Sequence, residues 1–314
     1  MPAANSDAYT FRPYPLVSFP FIFYLCIMSM TYQKMCLRLT KVYPSGEARA
    51  IVRMVLEDHF GLTLADIYTD KVTELSADDV NELEKIMLRL ETGEPIQYVL
   101  GSARFCGRQF GVGKGVLIPR PETELLCQWV MESHDCPFCG LQPPAPLRLL
   151  DIGTGSGCIA ITLALDMANT VVSAYDLSSD ALLIARDNAI RMGAAVNFQL
   201  KDALEMTATE EMFDIIVSNP PYICENERTE MLPNVLNFEP STALFVPNDD
   251  PLRFYRAIAQ YGQTALSHGG ELYFEINEHY GEEVSTMLNS LGYVEIEVRN
   301  DQFGKQRFVK ALRP

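Results

Sequence analysis

From Leu147 onward, segments typical of strands and of helices alternate almost without interruption. The predicted strands span residues 147–152, 171–175, 196–200, 213–218, 271–276, 293–298 and 307–312, and the predicted helices span 158–167, 179–192, 251–266 and 281–291. Such alternation builds a doubly wound, largely parallel α/β sheet, with an antiparallel strand expected at its end. Ligands of these sheets bind beyond the carboxyl ends of the strands, where the strand order reverses. The fold class therefore predicts where a site would lie.

The residues ahead of this sheet follow a different pattern. Apolar side chains recur at helical spacing over 47–60 and again over 76–92, where Ser76 is the predicted N-cap. Short apolar runs between glycines then predict strands and turns. These runs are 98–100, 110–112 and 116–118. A further helix is predicted to begin at Glu122 or Thr123.

These changes of pattern predict four parts of the chain. They are an extension at 1–29, a small helical domain at 30–95, a hairpin-like linker at 96–146 and the α/β domain at 147–314. The apolar run 16–28 has 13 residues, against the ~20 that span a bilayer, and Pro20 interrupts it. We expect a non-native or disordered extension, with translation starting at Met28 or Met30. A membrane anchor is the alternative.

The eight cysteines are scattered and form no disulfide framework, which is typical of a reducing compartment such as the cytoplasm. Cys136 and Cys139 form a single CxxC pair, whereas a four-ligand zinc site needs two further ligands. We therefore expect the pair to lie in a linker insert and the chain to hold no metal. Metal binding or redox use of the pair is the alternative.

The charge of the chain bears on its partners. The formal net charge is −16, and residues 147–314 alone carry 24 acidic and 12 basic side chains. Affinity for a phosphate backbone comes mainly from Lys and Arg, so a surface this acidic is poorly suited to nucleic acid. We expect no direct nucleic-acid contact, and we expect the macromolecular partner to be a protein, for which a basic surface would suit this charge.

The first strand of the α/β domain leads into a glycine-rich sequence. It reads Asp151-Ile152-Gly153-Thr154-Gly155-Ser156-Gly157. Glycines permit a tight turn and a close approach of the backbone to a ligand. The spacing is G-x-G-x-G, and Cys158 stands where a dinucleotide fingerprint needs its third glycine. Asp151 would repel a pyrophosphate but can pair with an ammonium group. By itself, the sequence could also be an ordinary turn.

Two further acids follow the next two predicted strands. Asp176 ends the second strand and is placed to accept hydrogen bonds from ribose hydroxyls. Asp202, followed by Ala203, comes after the third strand, where a carboxylate could accept from an adenine amino group. A ligand with an ammonium group, a ribose and an adenine but no phosphate is S-adenosyl-L-methionine. Each acid alone could instead cap a helix.

The fourth strand runs directly into Asn219-Pro220-Pro221-Tyr222. The simplest interpretation is a turn that ends the strand, because proline cannot continue a ladder. The two prolines also remove two N–H donors and fix two φ angles. This leaves a stiff, acceptor-rich segment suited to holding a planar –NH₂ group for attack on an electrophilic methyl. We expect Asn219, Pro220 and Tyr222 to be catalytic, with Tyr222 as an aromatic wall.

Together, these two motifs resemble class I methyltransferases that modify exocyclic or amide nitrogens. The similarity is closer to the protein-(glutamine-N5) methyltransferases of peptide chain release factors, the HemK/PrmC type. Four other stretches carry the resemblance, namely residues 93–98, 117–124, 238–240 and 301–309. It extends over residues 30–313, including the helical part.

The resemblance implies a cytoplasmic enzyme with a Rossmann-like sheet and a helical domain that engages the substrate. The implied reaction methylates the glutamine in the Gly-Gly-Gln motif of class I release factors, with S-adenosyl-L-homocysteine as the other product. By position, Gly153 to Gly157 and Asp176 hold the cofactor, Asp202 and Ala203 line the adenine, and Asn219 to Tyr222, including Pro221, hold the glutamine amide. Family members often have tryptophan where this chain has Ala203. We expect a monomer and no membrane partner.

Three alternatives remain open from the residues. A ribosomal-protein glutamine methyltransferase would use the same tetrapeptide. A DNA adenine or cytosine N-methyltransferase would use the same acceptors but must grip DNA and flip a base, which the acidic charge disfavours. A scaffold or chaperone could bind the cofactor without catalysis, although Asn219 through Tyr222 is intact.

Overall fold

The computed structural model describes residues 30–134, 145–208 and 211–314. The chain divides into two compact units, one that ends at Glu91 and one that begins at Thr92. The predictions for residues 1–29 and for Cys136 and Cys139 lie outside the described residues. Within the described ranges, no helix combines the length and apolar character needed to cross a bilayer.

The first unit is helical. Its elements are α1 (Tyr32–Leu39), α2 (Ser45–Met54), a π-helical turn (Val55–His59), α3 (Leu64–Tyr68), a 3₁₀ turn (Lys71–Glu74) and α4 (Ala77–Glu91). The predicted N-cap of α4 is confirmed, because Ser76 Oγ accepts from the backbone N–H of Asp79 at 3.1 Å. Leu83, Ile86 and Leu90 of α4 are buried, at the spacing of one helical face.

The second unit opens with a short helix, a hairpin and a longer helix. These are α5 (Ile96–Leu100), β1 (Ser102–Phe105), β2 (Arg108–Gly111) and α6 (Pro121–His134). The strand predicted at 98–100 is wrong, since these residues lie in α5. Pro95 stands at the N-cap with φ −54°, and Gly101 ends the helix with φ +71°. Pro95 and Gly101 therefore bound a short helix of five residues. The three apolar residues 98–100 are too few to distinguish such a helix from a strand.

The strand predicted at 116–118 is also wrong. These residues pair with no strand. Val116 and Ile118 are buried in an apolar cluster together with Tyr98. The Tyr98 hydroxyl donates to the Val116 carbonyl oxygen at 2.6 Å. The apolar residues of this segment therefore pack against α5 without joining a ladder.

The remaining residues form the predicted doubly wound α/β sheet. Its strands are β3 (Leu147–Ile152), β4 (Thr170–Asp176), β5 (Val196–Leu200), β6 (Phe213–Ser218), β9 (Leu266–Glu275), β10 (Val294–Asn300) and β11 (Gln306–Leu312). The order is β10-β11-β9-β6-β3-β4-β5. Among these seven strands, β11 alone runs opposite to the others, and it pairs antiparallel with both β10 and β9. The expected antiparallel strand is therefore present, and it lies one place inside the edge of the sheet.

Helices and a small strand pair complete this unit. They are α7 (Cys158–Asp166), α8 (Ser179–Met192), β7 (Ile223–Cys224), α9 (Pro233–Phe238), β8 (Phe245–Val246), α10 (Arg253–Ala265) and α11 (Gly281–Ser290). Successive strand residues point to opposite faces, so Leu150 and Ile216 pack with α10 and α11. Leu149 and Ile215 pack with α6 and α7 on the other face. Both faces of the sheet are therefore covered, as in other parallel sheets.

The register of the central strands determines which residues meet at the carboxyl edge. Ile152 at the end of β3 pairs with Ser218 of β6 and with Tyr175 of β4. Ser218 in turn pairs with Phe274 of β9, and its hydroxyl donates to the Ile152 carbonyl at 2.6 Å. Because these positions are level, the next residue of each strand emerges at the same edge. The strand order reverses between β3 and β6, the expected position for a ligand.

Candidate active site

A cleft of about 860 Å³, counted with its open mouth, lies at this edge. The residues that line it come from four strand ends and from the segments around them: Gly115, Val116, Leu117, Ile152, Gly153, Gly155, Asp176, Leu177, Ser178, Ala181, Lys201, Asp202, Ala203, Ser218, Asn219, Pro220, Pro221, Thr242, Ala243, Phe254 and Ile258. The cleft thus brings together the glycine-rich sequence, both acids after the next strands and the proline-rich corner.

The three glycines after β3 serve different purposes. All have positive φ, at +77° for Gly153, +54° for Gly155 and +82° for Gly157. A Cβ at Gly153 or Gly155 would meet no protein atom within 4 Å, so these two face open space. A Cβ at Gly157 would lie 2.8 Å from Ile161 Cδ1 and 3.2 Å from Ala185 Cβ. The first two glycines therefore let a ligand approach the backbone, and the third lets two helices pack closely.

Asp151 lies beneath this loop and is fully buried. Its Oδ2 accepts from the Thr154 hydroxyl at 2.6 Å and from the Ala160 backbone N–H at 3.2 Å. Burial raises the pKa of Asp151 to about 7, since desolvation outweighs these hydrogen bonds. Oδ1 has no hydrogen-bond partner among the described residues. The side chain holds the loop from behind, and its predicted pairing with an ammonium group stays a prediction.

Thr154 and Ser156 are also buried, and neither lines the cleft. The backbone N–H groups of Gly153 and Thr154 donate to the Tyr175 carbonyl at 2.8 and 3.0 Å. Of the glycine-rich sequence, Ile152 at the end of β3 and the loop residues Gly153 and Gly155 are the ones that line the cleft. Thr154, Ser156 and Gly157 shape the loop, and direct cofactor contacts from them stay predictions.

Asp176 faces the cleft with a carboxylate held in place by backbone donors. One oxygen accepts from the Gly155 N–H and the other from the Ser178 N–H, both at 2.8 Å. Burial raises the pKa of Asp176, and the hydrogen bonds from Ser178 and Gly155 partly oppose that shift. Each carboxylate oxygen retains a lone pair, so the group can accept from a pair of vicinal hydroxyls.

Asp202 and Ala203 line the side of the cleft beyond β5. Asp202 Oδ1 accepts from the Leu204 backbone N–H at 2.8 Å, which fixes the side chain and leaves Oδ2 to accept elsewhere. The neighbouring Lys201 has its Nζ 3.9 Å from the centre of the Tyr175 ring. Ala203 adds a small apolar surface next to this carboxylate.

Asn219, Pro220 and Pro221 line the cleft directly after β6. The Asn219 Nδ2 group donates to Thr123 Oγ1 at 3.2 Å. The amide nitrogen is therefore engaged behind the cleft wall, and Oδ1 is left as an acceptor. The two prolines contribute carbonyl acceptors and no N–H donor.

Tyr222 follows the two prolines and packs against the apolar core of the second unit. Its ring is half-buried against the core, and its hydroxyl donates to Glu275 Oε1 at 3.0 Å. Burial, together with the nearby Glu275 carboxylate, raises the pKa of the Tyr222 hydroxyl far above its usual value. Tyr222 does not line the cleft, and the aromatic wall expected from it stays a prediction.

Thr123 and Glu275 are the functional candidates that sequence reasoning missed. The sequence predicts Thr123 as a possible helix start within the stretch 117–124 and Glu275 as a strand residue, and it assigns a site role to neither. They are 152 positions apart, yet the Thr123 hydroxyl donates to Glu275 Oε2 at 2.7 Å. A register prediction that paired β9 with β6 would have placed Glu275 beside Asn219, but the sequence alone gives no such pairing.

A buried ion pair holds one wall of the cleft. The Arg120 guanidinium donates to Glu239 Oε1 at 2.6 Å, and the Ile118 backbone N–H donates to Oε2 at 3.1 Å. The Glu239 side chain is 1% exposed. Glu239 comes just before the lining residues Thr242 and Ala243. Two of the stretches singled out in the sequence, 117–124 and 238–240, are thus joined to each other.

These residues match the chemistry of the cofactor predicted from the sequence. The cleft has a carboxylate suited to a ribose, an open glycine backbone and apolar walls from Leu177, Phe254 and Ile258. Within residues 30–134, 145–208 and 211–314, no group of three or more His, Cys, Asp or Glu side chains could hold a metal ion. The residues therefore fit an adenosine-type ligand that has a polar tail and no phosphate.

The strand order and the cleft at the reversal point define a class I methyltransferase fold. In agreement, the family model "Methyltransferase small domain" matches residues 140–237. The family model "PrmC N-terminal domain" matches residues 32–101.

Three relatives identify the family. A release factor glutamine methyltransferase of Bacteroides thetaiotaomicron is 46% identical, over 88% of this chain and 96% of its own length. That of Flavobacterium psychrophilum is 37% identical, over 87% and 94%. That of Enterococcus faecalis is 37% identical, over 76% and 83%. The chain belongs to the release factor glutamine methyltransferase family.

Proposed function

We propose that the chain transfers a methyl group to the side-chain amide nitrogen (N5) of the glutamine in the Gly-Gly-Gln motif of class I peptide chain release factors. The observation that carries this proposal is Asn219, whose amide nitrogen is bound by Thr123 so that its oxygen is left to accept in the cleft. The names of the relatives support the substrate. Since release factors act on ribosomes, we propose a cytoplasmic enzyme.

S-adenosyl-L-methionine, when bound, supplies a methyl group on a sulfonium centre and leaves as S-adenosyl-L-homocysteine. The Asp176 carboxylate would accept hydrogen bonds from the ribose hydroxyls. Each of its oxygens is held by one backbone N–H group and can still accept a second hydrogen bond. Gly153 and Gly155 would let the backbone lie against the cofactor. Asp202 and Ala203 would line its adenine. Asp151 would act from behind the loop.

The substrate amide would be held by acceptors alone. An amide nitrogen is a weak nucleophile, because its lone pair is delocalised into the carbonyl. Asn219 Oδ1 and the Pro220 carbonyl oxygen would each accept a hydrogen bond from the –NH₂ group of the substrate. These hydrogen bonds would return electron density to the nitrogen and direct it at the methyl carbon. Pro221 keeps this corner stiff, and Tyr222 anchors it through Glu275. The methylated nitrogen would release one proton to solvent water, so no residue with a tuned pKa is required.

The helical residues up to 95 would engage the release factor. The match of residues 32–101 to the PrmC N-terminal domain supports this assignment. The net charge of −16 is compatible with a basic protein partner, because ribosome-binding factors tend to be basic. We propose no direct contact with nucleic acid.

The test incubates the purified protein with labelled S-adenosyl-L-methionine and a purified class I release factor. Mass spectrometry of the peptide with the Gly-Gly-Gln sequence is expected to find one added methyl on the glutamine. A release factor with this glutamine changed to alanine serves as the control and is expected to take no label. Label on a ribosomal protein or on DNA, with none on the release factor, would contradict the proposal.

A further inference from the structure

Behind the Asn219 corner, four side chains form a continuous hydrogen-bond chain. Asn219 Nδ2 donates to Thr123 Oγ1 at 3.2 Å, and the Thr123 hydroxyl donates to Glu275 Oε2 at 2.7 Å. The other oxygen of Glu275 accepts from the Tyr222 hydroxyl at 3.0 Å. These hydrogen bonds join α6, the end of β9 and the residues after β6. Three parts of the fold therefore hold the Asn219 side-chain amide in place.

The two inner side chains of this hydrogen-bond chain are closed to water. Thr123 is 2% exposed and Glu275 is 1% exposed. Hydrogen bonds inside a low-dielectric interior are stronger than in water, and a buried group without a partner is costly. The direction of the hydrogen bond between Thr123 and Glu275 is therefore determined by the protein and not by competing solvent.

The Glu275 carboxylate determines that direction. An ionised carboxylate accepts and cannot donate, so both hydroxyls that contact it must donate. Thr123 has a single hydroxyl proton, and it donates this proton in the hydrogen bond to Glu275. Thr123 Oγ1 can then only accept from Asn219. Asn219 consequently turns its –NH₂ group to Thr123 and leaves its carbonyl oxygen for the cleft.

The groups around Glu275 act on its pKa in opposite directions, and burial, the largest effect, leaves that pKa raised. Burial raises the pKa of the Glu275 carboxyl, and the nearby Glu122 carboxylate of α6 adds to this. The hydrogen bonds from Thr123 and Tyr222 and the positive charge of Arg307 on β11 lower it. Groups on α6, on β11 and after β6 thus act on the carboxylate that orients these hydrogen bonds.

Without these hydrogen bonds, nothing would favour one orientation of the Asn219 side-chain amide over the other. The oxygen and the nitrogen of an asparagine amide are nearly the same size, so the two orientations differ only in hydrogen bonding. In the reversed orientation an –NH₂ group would face the –NH₂ group of the substrate. Two donors would oppose each other, and the acceptor that the reaction needs would be lost.

We propose that Thr123 and Glu275 are positioning residues that fix the amide orientation of Asn219 and thereby select a substrate amide over a carboxylate. The inference rests on the proposed function, because it concerns how the same corner recognises glutamine. A glutamine amide presents donors to Asn219 Oδ1, whereas a glutamate carboxylate presents only acceptors. Discrimination of this kind, which leaves buried polar groups unpaired for the wrong substrate, is strong in enzymes.

The test compares Thr123→Val, which keeps the shape and removes the hydroxyl, with Thr123→Ser, which keeps the hydroxyl. Full-length variants are assayed for kcat and KM with release factor, for binding of S-adenosyl-L-homocysteine by calorimetry, and for Tm. We expect Thr123→Val to lower kcat by about 10- to 100-fold, as misplaced reacting groups do. KM and cofactor affinity should stay within about threefold, and Thr123→Ser should retain kcat within about threefold.

A double-mutant cycle with Asn219→Ala separates positioning from structure. If Thr123 acts through Asn219, Thr123→Val should cost nothing further once Asn219 is alanine, whereas a general structural role would give additive losses. Thr123→Ala is assayed in parallel and should match Thr123→Val. Wild-type kcat in Thr123→Val, an equal loss in Thr123→Ser, or additivity in the cycle would overturn the inference. An inactive wild-type protein would instead contradict the proposed function, and this inference with it.

Discussion

Asn219 performs its proposed work without a change of protonation. Its side chain lines the cleft and is anchored from behind by Thr123. The prolines that follow keep the backbone rigid and free of donors. An acceptor held in this way is preorganised, so no reorganisation is needed when charge shifts during methyl transfer.

Replacing Asn219 with alanine should therefore affect turnover and not cofactor binding. We expect Asn219→Ala to lower kcat by about 100-fold or more, comparable to loss of a preorganised hydrogen-bonding group. Binding of S-adenosyl-L-homocysteine, measured by calorimetry, should change by less than about threefold. Asn226→Ala, at an exposed position in the same segment, is the matched control and should keep wild-type kcat. Unchanged turnover in Asn219→Ala would refute the catalytic assignment.

Asp151 contributes a pH dependence of stability. Burial raises its pKa from 3.8 to about 7 in the folded protein. A raised pKa means that the folded state disfavours the charged form. Stability is therefore greatest below the unfolded pKa and is lost as the pH rises through the folded value. The shift corresponds to at most about 4 kcal/mol.

Asp151→Asn should remove this dependence, because asparagine does not ionise in this range. In ligand-free protein, thermal scans from about pH 5 to about pH 8 should show a steeper fall of Tm for the wild type than for Asp151→Asn. Asp176 and Glu275 titrate in both proteins, so their contributions cancel in the difference. Parallel Tm profiles of the two proteins would mean that Asp151 does not carry this penalty.

At the scale of elements, the Arg120–Glu239 pair fixes the segment that carries Thr242 and Ala243. Glu239 is almost completely buried and has donors from Arg120 and from the Ile118 backbone. Arg120 is partly exposed, at 31% of its side chain. Removing one member of a buried pair leaves an uncompensated charge, which costs more than an exposed pair is worth.

We expect Arg120→Leu to destabilise the folded protein by about 1–3 kcal/mol, a value reduced from that of a fully buried pair because Arg120 is partly exposed. Cofactor affinity should also fall, because the segment with Thr242 and Ala243 loses the ion pair that holds it in place. Arg256→Leu breaks an exposed pair with Asp250 and should cost no more than about 1 kcal/mol. Denaturant unfolding of both variants checks the prediction, and equal losses would contradict it.

The sequence predicts elements well where their own pattern determines them. β3, β5, β6 and α8 have the predicted bounds, and α8 lies between an N-cap at Ser178 and a C-cap at Gly193. The short apolar runs at 98–100 and 116–118 were misassigned as strands. Their conformation depends on Pro95 and Gly101 and on packing around Tyr98, which local periodicity does not encode.

The same distinction applies to the site. Gly153, Asp176, Asp202 and Asn219 could be predicted because strand ends of a parallel sheet share one edge. Thr123 and Glu275 could not, because their contact joins positions 152 residues apart through the pairing of β9 with β6. The inward position of Asp151 likewise depends on how the loop packs and not on its motif.

At the scale of the whole molecule, the chain combines a helical unit with an α/β unit that contains the cleft. Every residue that lines the cleft lies after Thr92. The cofactor would thus be held by the second unit alone, while the proposed contribution of the first is to the protein substrate.

Deleting the residues up to Glu91 should separate these contributions. We expect the remaining chain, if its Tm is retained, to bind S-adenosyl-L-homocysteine within about threefold of the wild type. Methylation of whole release factor should fall by at least about tenfold, since contacts remote from the reacting group contribute to kcat/KM. Equal losses of binding and methylation would contradict a substrate-engaging role for the helical unit.

The most direct measurement is mass spectrometry of release factors taken from cells that contain this protein, cells that lack it, and cells with Asn219→Ala. A single methyl on the glutamine of the Gly-Gly-Gln peptide should appear only with the wild-type protein. The same level of methylated glutamine in all three cell lines would contradict the account.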